Sequence, residues 1–201
     1  MKELVVATSN QGKLREIRAL LEPLGIRVVS AREAGFKGDI EEVGESFEEN
    51  ARLKAETVAR ALGKPALADD SGLEVDALGG APGVRSARYA GEGATDEANN
   101  RKLLEALRGL PPEQRGARFV CVMCLVTPQG RCITARGELA GRIALEPRGE
   151  GGFGYDPVFE LPELGVSVAE ISPEEKNRIS HRARALQSLA SQLKDFLETG
   201  A

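Results

Sequence analysis

Apolar residues fall into two alternating periods along this chain. ELVVAT (3–8) is a short β-branched run, the pattern of a buried strand. The period then lengthens: Leu14, Ile17, Leu20, Leu21 and Leu24 share one side of a helix that begins near Gln11 and is stopped by Gly25. RVVS (27–30) is a second strand. Strand, helix and strand in this order predict an α/β fold with a parallel pair. AREAGFKGDIEEVGE (31–45) is polar and acidic and reads as a loop. Ser46 followed by Glu49 forms a capping box, which opens a helix running to about Leu62. PALAD (65–69) and GLEVDAL (72–78) are strand-like. GGAPGVRSARYAGEG (79–93) is a long Gly/Pro-rich loop, of a length that in compact domains usually carries function.

Thr95 caps a further helix to about Arg108, with Leu103, Leu104 and Leu107 inward. ARFVCVMCLVT (117–127) and RCITARGELAGRI (131–143) flank the turn residues PQG and predict an antiparallel hairpin. A second Gly-rich loop, RGEGGFGYDPVF, spans 148–159. Ser172 and Glu175 form another capping box with Pro173 at the first helical position. From about His181 a last helix carries Leu186, Leu189, Leu193, Phe196 and Leu197 on one stripe. No repeat, low-complexity tract or clean linker interrupts 1–201, so the chain reads as a single α/β domain with a hairpin-bearing second lobe.

Composition narrows the class. With 41% hydrophobic and 29% charged residues the chain can bury a core and is not intrinsically disordered. No apolar run approaches the ~20 residues a membrane-spanning helix needs, and the N-terminus lacks the pattern of a secretory signal. The expectation is a cytoplasmic protein with no membrane association. Twenty-seven basic residues against 31 acidic ones give a net charge of −4, the wrong balance for a general nucleic-acid binder. The 3 cysteines are too few for a disulfide framework. Cys121 and Cys124 lie three apart on a predicted strand and so point to opposite faces; with Cys132 they are expected in the core.

Four segments carry more polar and glycine detail than a core requires. Thr8, Ser9, Asn10, Gln11, Gly12 and Lys13 lie between the first strand and helix, where α/β folds bind phosphate through helix-start N–H groups. The spacing is not that of a Walker-type loop; a plain strand-to-helix turn would also fit. Asp69 and Asp70, with Glu41 and Glu42, supply the hard oxygen ligands that suit Mg²⁺; the alternative is a solvated Asp-Ser-Gly turn. GGFGYDP (151–157) can present an aromatic ring to a planar base or be a Gly-rich turn with core aromatics. Lys176, Asn177, Ser180, His181 and Arg182 lie at a possible break between two helices. There a lysine could meet a phosphate and the later pair could donate to a ligand carbonyl; a solvated basic face is the alternative. All four segments sit at element ends.

At ATSNQGKLREI, ESFEENARLKA, ALADDSGLEVDALGGAPGVRSARYAG, GGFGYDPVF and EEKNRISHRARAL the sequence resembles the inosine triphosphate pyrophosphatase family. These stretches span most of the chain in the family's order, with Ser9 the one small departure from a common T-G-N. The resemblance implies an elongated, two-lobed, mixed-sheet α/β fold with a central active-site cleft, a homodimer and Mg²⁺ dependence. It implies hydrolysis of noncanonical purine nucleoside triphosphates (ITP, dITP, XTP) to the monophosphate and pyrophosphate. It also implies residue roles. Thr8 to Lys13 would hold the triphosphate. Asp70 would accept a proton and bind metal, with Glu41 as the second metal carboxylate and Glu42 as the neighbouring alternative. Ser71 would contact substrate, Phe153, Gly154, Tyr155 and Asp156 would line the base pocket, Lys176 would reach the nucleotide, and His181 and Arg182 would read the base.

In that reading water attacks the α-phosphorus and pyrophosphate leaves in line, with Asp69 and Asp70 dividing the metal and base roles in an order the sequence leaves open. Donors from His181 and Arg182 would pair with the O6 acceptor of hypoxanthine or xanthine and reject the adenine amine. A nucleotide-binding sensor would not need the paired carboxylates. A pyrophosphatase for modified pyrimidine nucleotides would not need the His-Arg pair and the FGYD loop.

Overall fold

The computed structural model describes residues 2–199. Seven strands hydrogen-bond in the order β2-β1-β3-β4-β5-β6-β7: β1 (Lys2–Val6), β2 (Ile26–Ser30), β3 (Ala66–Val75), β4 (Gly116–Val126), β5 (Cys132–Ile143), β6 (Phe159–Leu161) and β7 (Val166–Ser167). β1 pairs in parallel with β2 and β3, whereas β5–β6 and β6–β7 are antiparallel. The sheet is mixed because the chain begins with a βαβ unit and later returns through short turns. Among the described residues five α-helices accompany it: α1 (Gln11–Leu21), α2 (Phe47–Leu62), α3 (Asp96–Ala106), α4 (Pro173–Ile179) and α5 (His181–Thr199).

Ser46, Thr95 and Ser172 cap their helices as expected and Asn10 does so unforeseen, but the box expected at Ser46 is only half formed, because the Glu49 carboxylate accepts from Glu45 N–H. Asn10, Ser46, Thr95 and Ser172 each accept a backbone N–H of the following first turn, satisfying donors that the helix leaves unpaired. Ser172 and Glu175 form a reciprocal capping box, with Pro173 opening α4.

The chain divides into two compact units whose boundaries fall within β3, β4 and β5 and between α4 and α5. The first comprises residues 1–70, 121–137 and 181–201, the second 71–120 and 138–180. Each has its own core. In the first unit Leu4 and Val6 of β1, Leu14, Ile17 and Leu21 of α1, and Leu186, Leu189, Leu193 and Phe196 of α5 pack together. In the second, Leu73 and Val75 meet Leu103 of α3, Leu107 just beyond its end, and a stacked Phe119–Phe159 pair.

Several expectations need correction. Leu24 is 59% exposed, because α1 ends at Leu21 and a 3₁₀ turn over Glu22–Leu24 rotates the apolar stripe away. The two expected strands are one, Ala66–Val75, and Asp76–Leu78 is a 3₁₀ turn; the Asp-Ser-Gly segment makes no turn because cationic side chains, not local backbone N–H groups, satisfy its carboxylates. The 79–93 loop contains a 3₁₀ segment, Gly83–Arg88, fixed by Ser86, whose hydroxyl donates to Gly83 O and accepts from Leu73 N–H. Cys121 and Cys124 are buried as expected, but Cys132 is partly exposed. β6 and β7 are too short for their pattern to stand out in sequence.

Candidate active site

In the first unit the β1–α1 connection builds an exposed, donor-rich turn. Asn10 N–H donates to Thr8 Oγ1 at 3.1 Å, and Asn10 Oδ1 accepts from Lys13 N–H at 3.0 Å. Ser9, Asn10 and Gln11 are exposed, Thr8 and Lys13 half-buried, and Gly12 buried. The first turn of α1 carries no acidic residue, so its positive dipole end is left for an anionic partner.

Adjacent positions on a strand point to opposite faces, and the two aspartates of β3 accordingly meet different partners. Asp69, fully buried, is 3.3 Å from Lys13 Nζ and 3.3 Å from Arg182 Nη2. Arg182 is itself buried, and its other terminal nitrogen donates to Glu16 of α1. Asp70 faces Lys54 Nζ at 3.6 Å, and the same ammonium donates to Glu42 Oε1 at 2.7 Å. Burial alone would push both aspartates up. For Asp69 the charges of Lys13, Arg182 and Lys54 outweigh burial and hold the carboxyl well below its ordinary range. For Asp70 burial outweighs Lys54 and Lys13, Glu42 adds repulsion, and the carboxyl stays above its ordinary range. The two neighbouring carboxyls are thus shifted in opposite directions.

The second unit assembles a less charged group. In the 151–157 loop Phe153 N–H donates to Asp156 Oδ2 at 3.1 Å. Lys176 Nζ reaches the same oxygen at 2.7 Å and lies 4.5 Å from the centroid of the Phe153 ring. Gly152 has φ +69°, and a Cβ there would strike the Asp156 carboxylate, so the turn requires glycine. Helix α3 grips the loop at Gly154: Asp96 accepts its N–H at 2.8 Å and Asn100 Nδ2 donates to its carbonyl at 3.1 Å. Tyr155 is buried and its hydroxyl donates to Ser86 O at 2.6 Å.

The sequence-derived residues are therefore sorted between the units. Thr8 to Lys13, Glu41, Asp70, His181 and Arg182 belong to the first, and Ser71, Phe153 to Asp156 and Lys176 to the second. The expected helix break is present, with Ser180 ending α4 in an extended conformation and His181 opening α5. A side chain at Gly137 of β5 would collide with the His181 carbonyl, so glycine there lets β5 approach the start of α5 closely. Glu41 is exposed, and Glu42 is the half-buried carboxylate that shares Lys54 with Asp70. Arg182 directs its guanidinium to Asp69 and Glu16, a placement that favours orienting Asp69 over reading a base.

Lys54, Glu16, Asp96 and Asn100 were not singled out from sequence. Lys54 left a signal: it lies among Phe47, Asn50, Ala51, Ala55 and Val58 on the buried face of α2, and a lysine at such a position needs an anionic partner.

A hard divalent cation fits the first unit. Asp70 is 4% exposed and its Oδ2 is buried without a hydrogen-bond partner, the state expected of a carboxylate oxygen awaiting a ligand. Among the described residues no group of 3 or more Asp, Glu, His or Cys side chains could hold a metal. Mg²⁺ is normally held by only one or two carboxylates together with substrate phosphates.

Comparison with known proteins adds an independent line. A model of the Ham1 family matches residues 4–192. The dITP/XTP pyrophosphatase of Bacillus licheniformis is 52% identical over 193 residues, covering 96% of this chain and 98% of that protein. That of Geobacillus kaustophilus is 53% identical over 197 residues, covering 98% and 97%. Among solved structures, a HAM1 protein from Coxiella burnetii superposes with a TM-score of 0.87 at 46% identity, covering 97% of this chain and 100% of that one. The Ham1 protein of Staphylococcus aureus gives 0.85 at 45% identity, covering 96% and 99%.

Proposed function

The chain belongs to the Ham1 family, and from that membership we propose that it hydrolyses noncanonical purine nucleoside triphosphates, ITP, dITP and XTP, to the nucleoside monophosphate and pyrophosphate. The observation that carries this reading is the paired Asp69 and Asp70, adjacent on β3, of which the first is ion-paired with Lys13 and Arg182 and the second faces Lys54 with its buried Oδ2 left for a ligand.

The N–H groups at the start of α1, with Thr8, Ser9 and Lys13, bind the triphosphate. Asp69 keeps the Lys13 ammonium in place, and Arg182, anchored by Glu16, keeps Asp69 in place. Asp70 and Glu42 would hold a divalent cation, with Mg²⁺ the natural choice for a set of carboxylate oxygens and phosphates; Glu42 is preferred to its neighbour Glu41 because it lies beside Lys54, which Asp70 also faces. When bound, that ion neutralises charge developing on the phosphate oxygens. Asp70 accepts a proton from the attacking water, whose oxygen bonds to the α-phosphorus as the bond to the bridging oxygen breaks. Phe153 stacks on the base, and Asp156 and Lys176 fix its edge, with His181 as a further donor. Donors opposite O6 accept hypoxanthine and xanthine and leave the adenine amine facing another donor. A homodimer, which the family resemblance implies, and a cytoplasmic setting, which the low cysteine count favours, complete the proposal.

The test is pyrophosphate release in the presence of Mg²⁺, with ITP and XTP set against ATP and GTP at equal concentration. Release confined to ITP and XTP is expected. Equal release from all four discards the base-reading account, and binding without release points to a nucleotide sensor.

A further inference from the structure

Cys124 and Cys132 take no part in the site above, yet their sulfurs lie 2.7 Å apart. β4 and β5 are hydrogen-bonded neighbours joined by a tight turn in which Thr127 N–H donates to Arg131 O at 2.9 Å. Counting back from that pair makes the two cysteines diagonal neighbours on one face of the hairpin, within mutual side-chain reach. Cys121, three residues before Cys124, points the other way, to within 4.0 Å of Asp69.

The surroundings suit thiol chemistry. Thr134 Oγ1 lies 3.7 Å from the Cys132 sulfur and 3.9 Å from that of Cys124. The charge of Arg52 on α2 acts on the Cys124 sulfur in the sense that favours thiolate. Cys124 is fully buried and Cys132 partly exposed. Burial, followed by the hydrogen bond with Cys132, pushes the Cys124 thiol up. One sulfur is thus reachable from solvent, and the other waits behind it as a resolving thiol.

We infer that Cys124 and Cys132 form a dithiol modification site, whose reactant is a small-molecule disulfide of the glutathione class and whose product is a cross-strand protein disulfide. In the first step the Cys132 thiolate attacks one sulfur of the small disulfide; that S–S bond breaks, and one small thiolate leaves and takes up a proton. In the second, the Cys124 thiolate attacks the Cys132 sulfur of the mixed disulfide and expels the second small thiolate, which also takes up a proton. Two protein thiols are oxidised, one small disulfide is reduced to two thiols, and the two protons lost by the cysteines end on the released thiols. A covalent S–S bond is ~2.05 Å long, so the sulfurs need only a small approach to bond.

The experiment incubates the reduced full chain with excess glutathione disulfide, quenches with acid, counts thiols under denaturing conditions, and determines intact mass and linked peptides. The 3 free thiols should fall to one, the mass should drop by two hydrogens, a Cys124–Cys132 peptide should appear, and dithiothreitol should reverse all three changes. Cys124→Ala should instead accumulate a single glutathione adduct on Cys132. Persistence of all thiols in the unsubstituted protein, or a linkage involving Cys121, overturns the proposal; absence of an adduct in folded Cys124→Ala overturns the assigned order of attack. The wild-type measurement does not depend on any variant folding, and every readout is covalent, so the outcome is independent of the substrate assigned above.

Discussion

Each unit buries an arginine, and the two are satisfied in opposite ways. Arg115 in the second unit donates to the carbonyls of Leu107, Leu110, Ile143 and Ala144. Arg182 in the first is set between two carboxylates, Asp69 and Glu16. Carbonyl dipoles satisfy a guanidinium without adding a second charge, which suits a staple between the segment that follows α3 and the end of β5. Carboxylates bring charges that must themselves be held, and their desolvation is recovered only where the geometry serves something else. The same contrast separates the candidate site residues. The first unit concentrates Lys13, Lys54, Glu42, Asp69 and Asp70, while the second relies on one buried ion pair, an aromatic ring and amide hydrogen bonds. Chemistry is accordingly expected to fail when the first is altered and affinity when the second is.

The largest effect tests that division directly. Asp70→Asn keeps the shape and removes the proton acceptor, so kcat for ITP should fall by ~10²–10⁴ while KM changes little. Near-normal turnover would falsify the assignment of catalysis to the first unit. Next comes Arg182→Met, which leaves the half-buried Glu16 beside an uncharged side chain and deprives Asp69 of one of its cations. Breaking a buried pair in this way costs roughly 3–5 kcal/mol, measurable as a loss of unfolding free energy in urea. Its preference for ITP over ATP should persist in the protein that remains folded. A collapse of that preference would return Arg182 to the base-reading role that the resemblance implied.

How much of this was legible beforehand follows the same line. The helices announced themselves through caps: Ser46, Thr95 and Ser172 each marked a start that the structure places at the next residue. The four functional segments were visible as motifs. The partners of those segments were not, because a pairing such as Arg182 with Glu16 joins residues 166 apart in the chain and leaves no local pattern. Lys54 was the exception, since a charged residue on the apolar face of α2 can be noticed by periodicity alone. Whether Glu41 or Glu42 faces Asp70 could not be read from a loop, where neither period applies. The same holds for Asn100, whose grip on Gly154 spans 54 residues.

In the second unit a single ring carries most of the expected affinity. Base stacking on an aromatic side chain contributes ~1–3 kcal/mol, so Phe153→Ala should raise KM for ITP by roughly 5–150-fold with kcat largely retained. A fall in kcat at constant KM would place the ring in the chemistry and erase the distinction between the units.

The smallest effect is the most discriminating, because it moves the ring without touching it. Asp96 holds Gly154 N–H at 2.8 Å, one residue beyond Phe153, while Asn100 holds the Gly154 carbonyl. Asp96→Ala removes one hydrogen bond worth about 0.5–1.5 kcal/mol, and KM for ITP should rise ~2–10-fold. The same substitution also takes an acidic residue from the first turn of α3, which lowers stability by ~0.3–1 kcal/mol through the helix dipole. Asp96→Asn separates the two contributions: it lacks the charge but keeps an oxygen to accept the Gly154 N–H. If the loop is what matters, Asn restores KM without restoring the lost stability. If both variants shift KM equally, the charge of Asp96 acts on the nucleotide itself, and the second unit then takes part in electrostatics that the comparison assigns to the first.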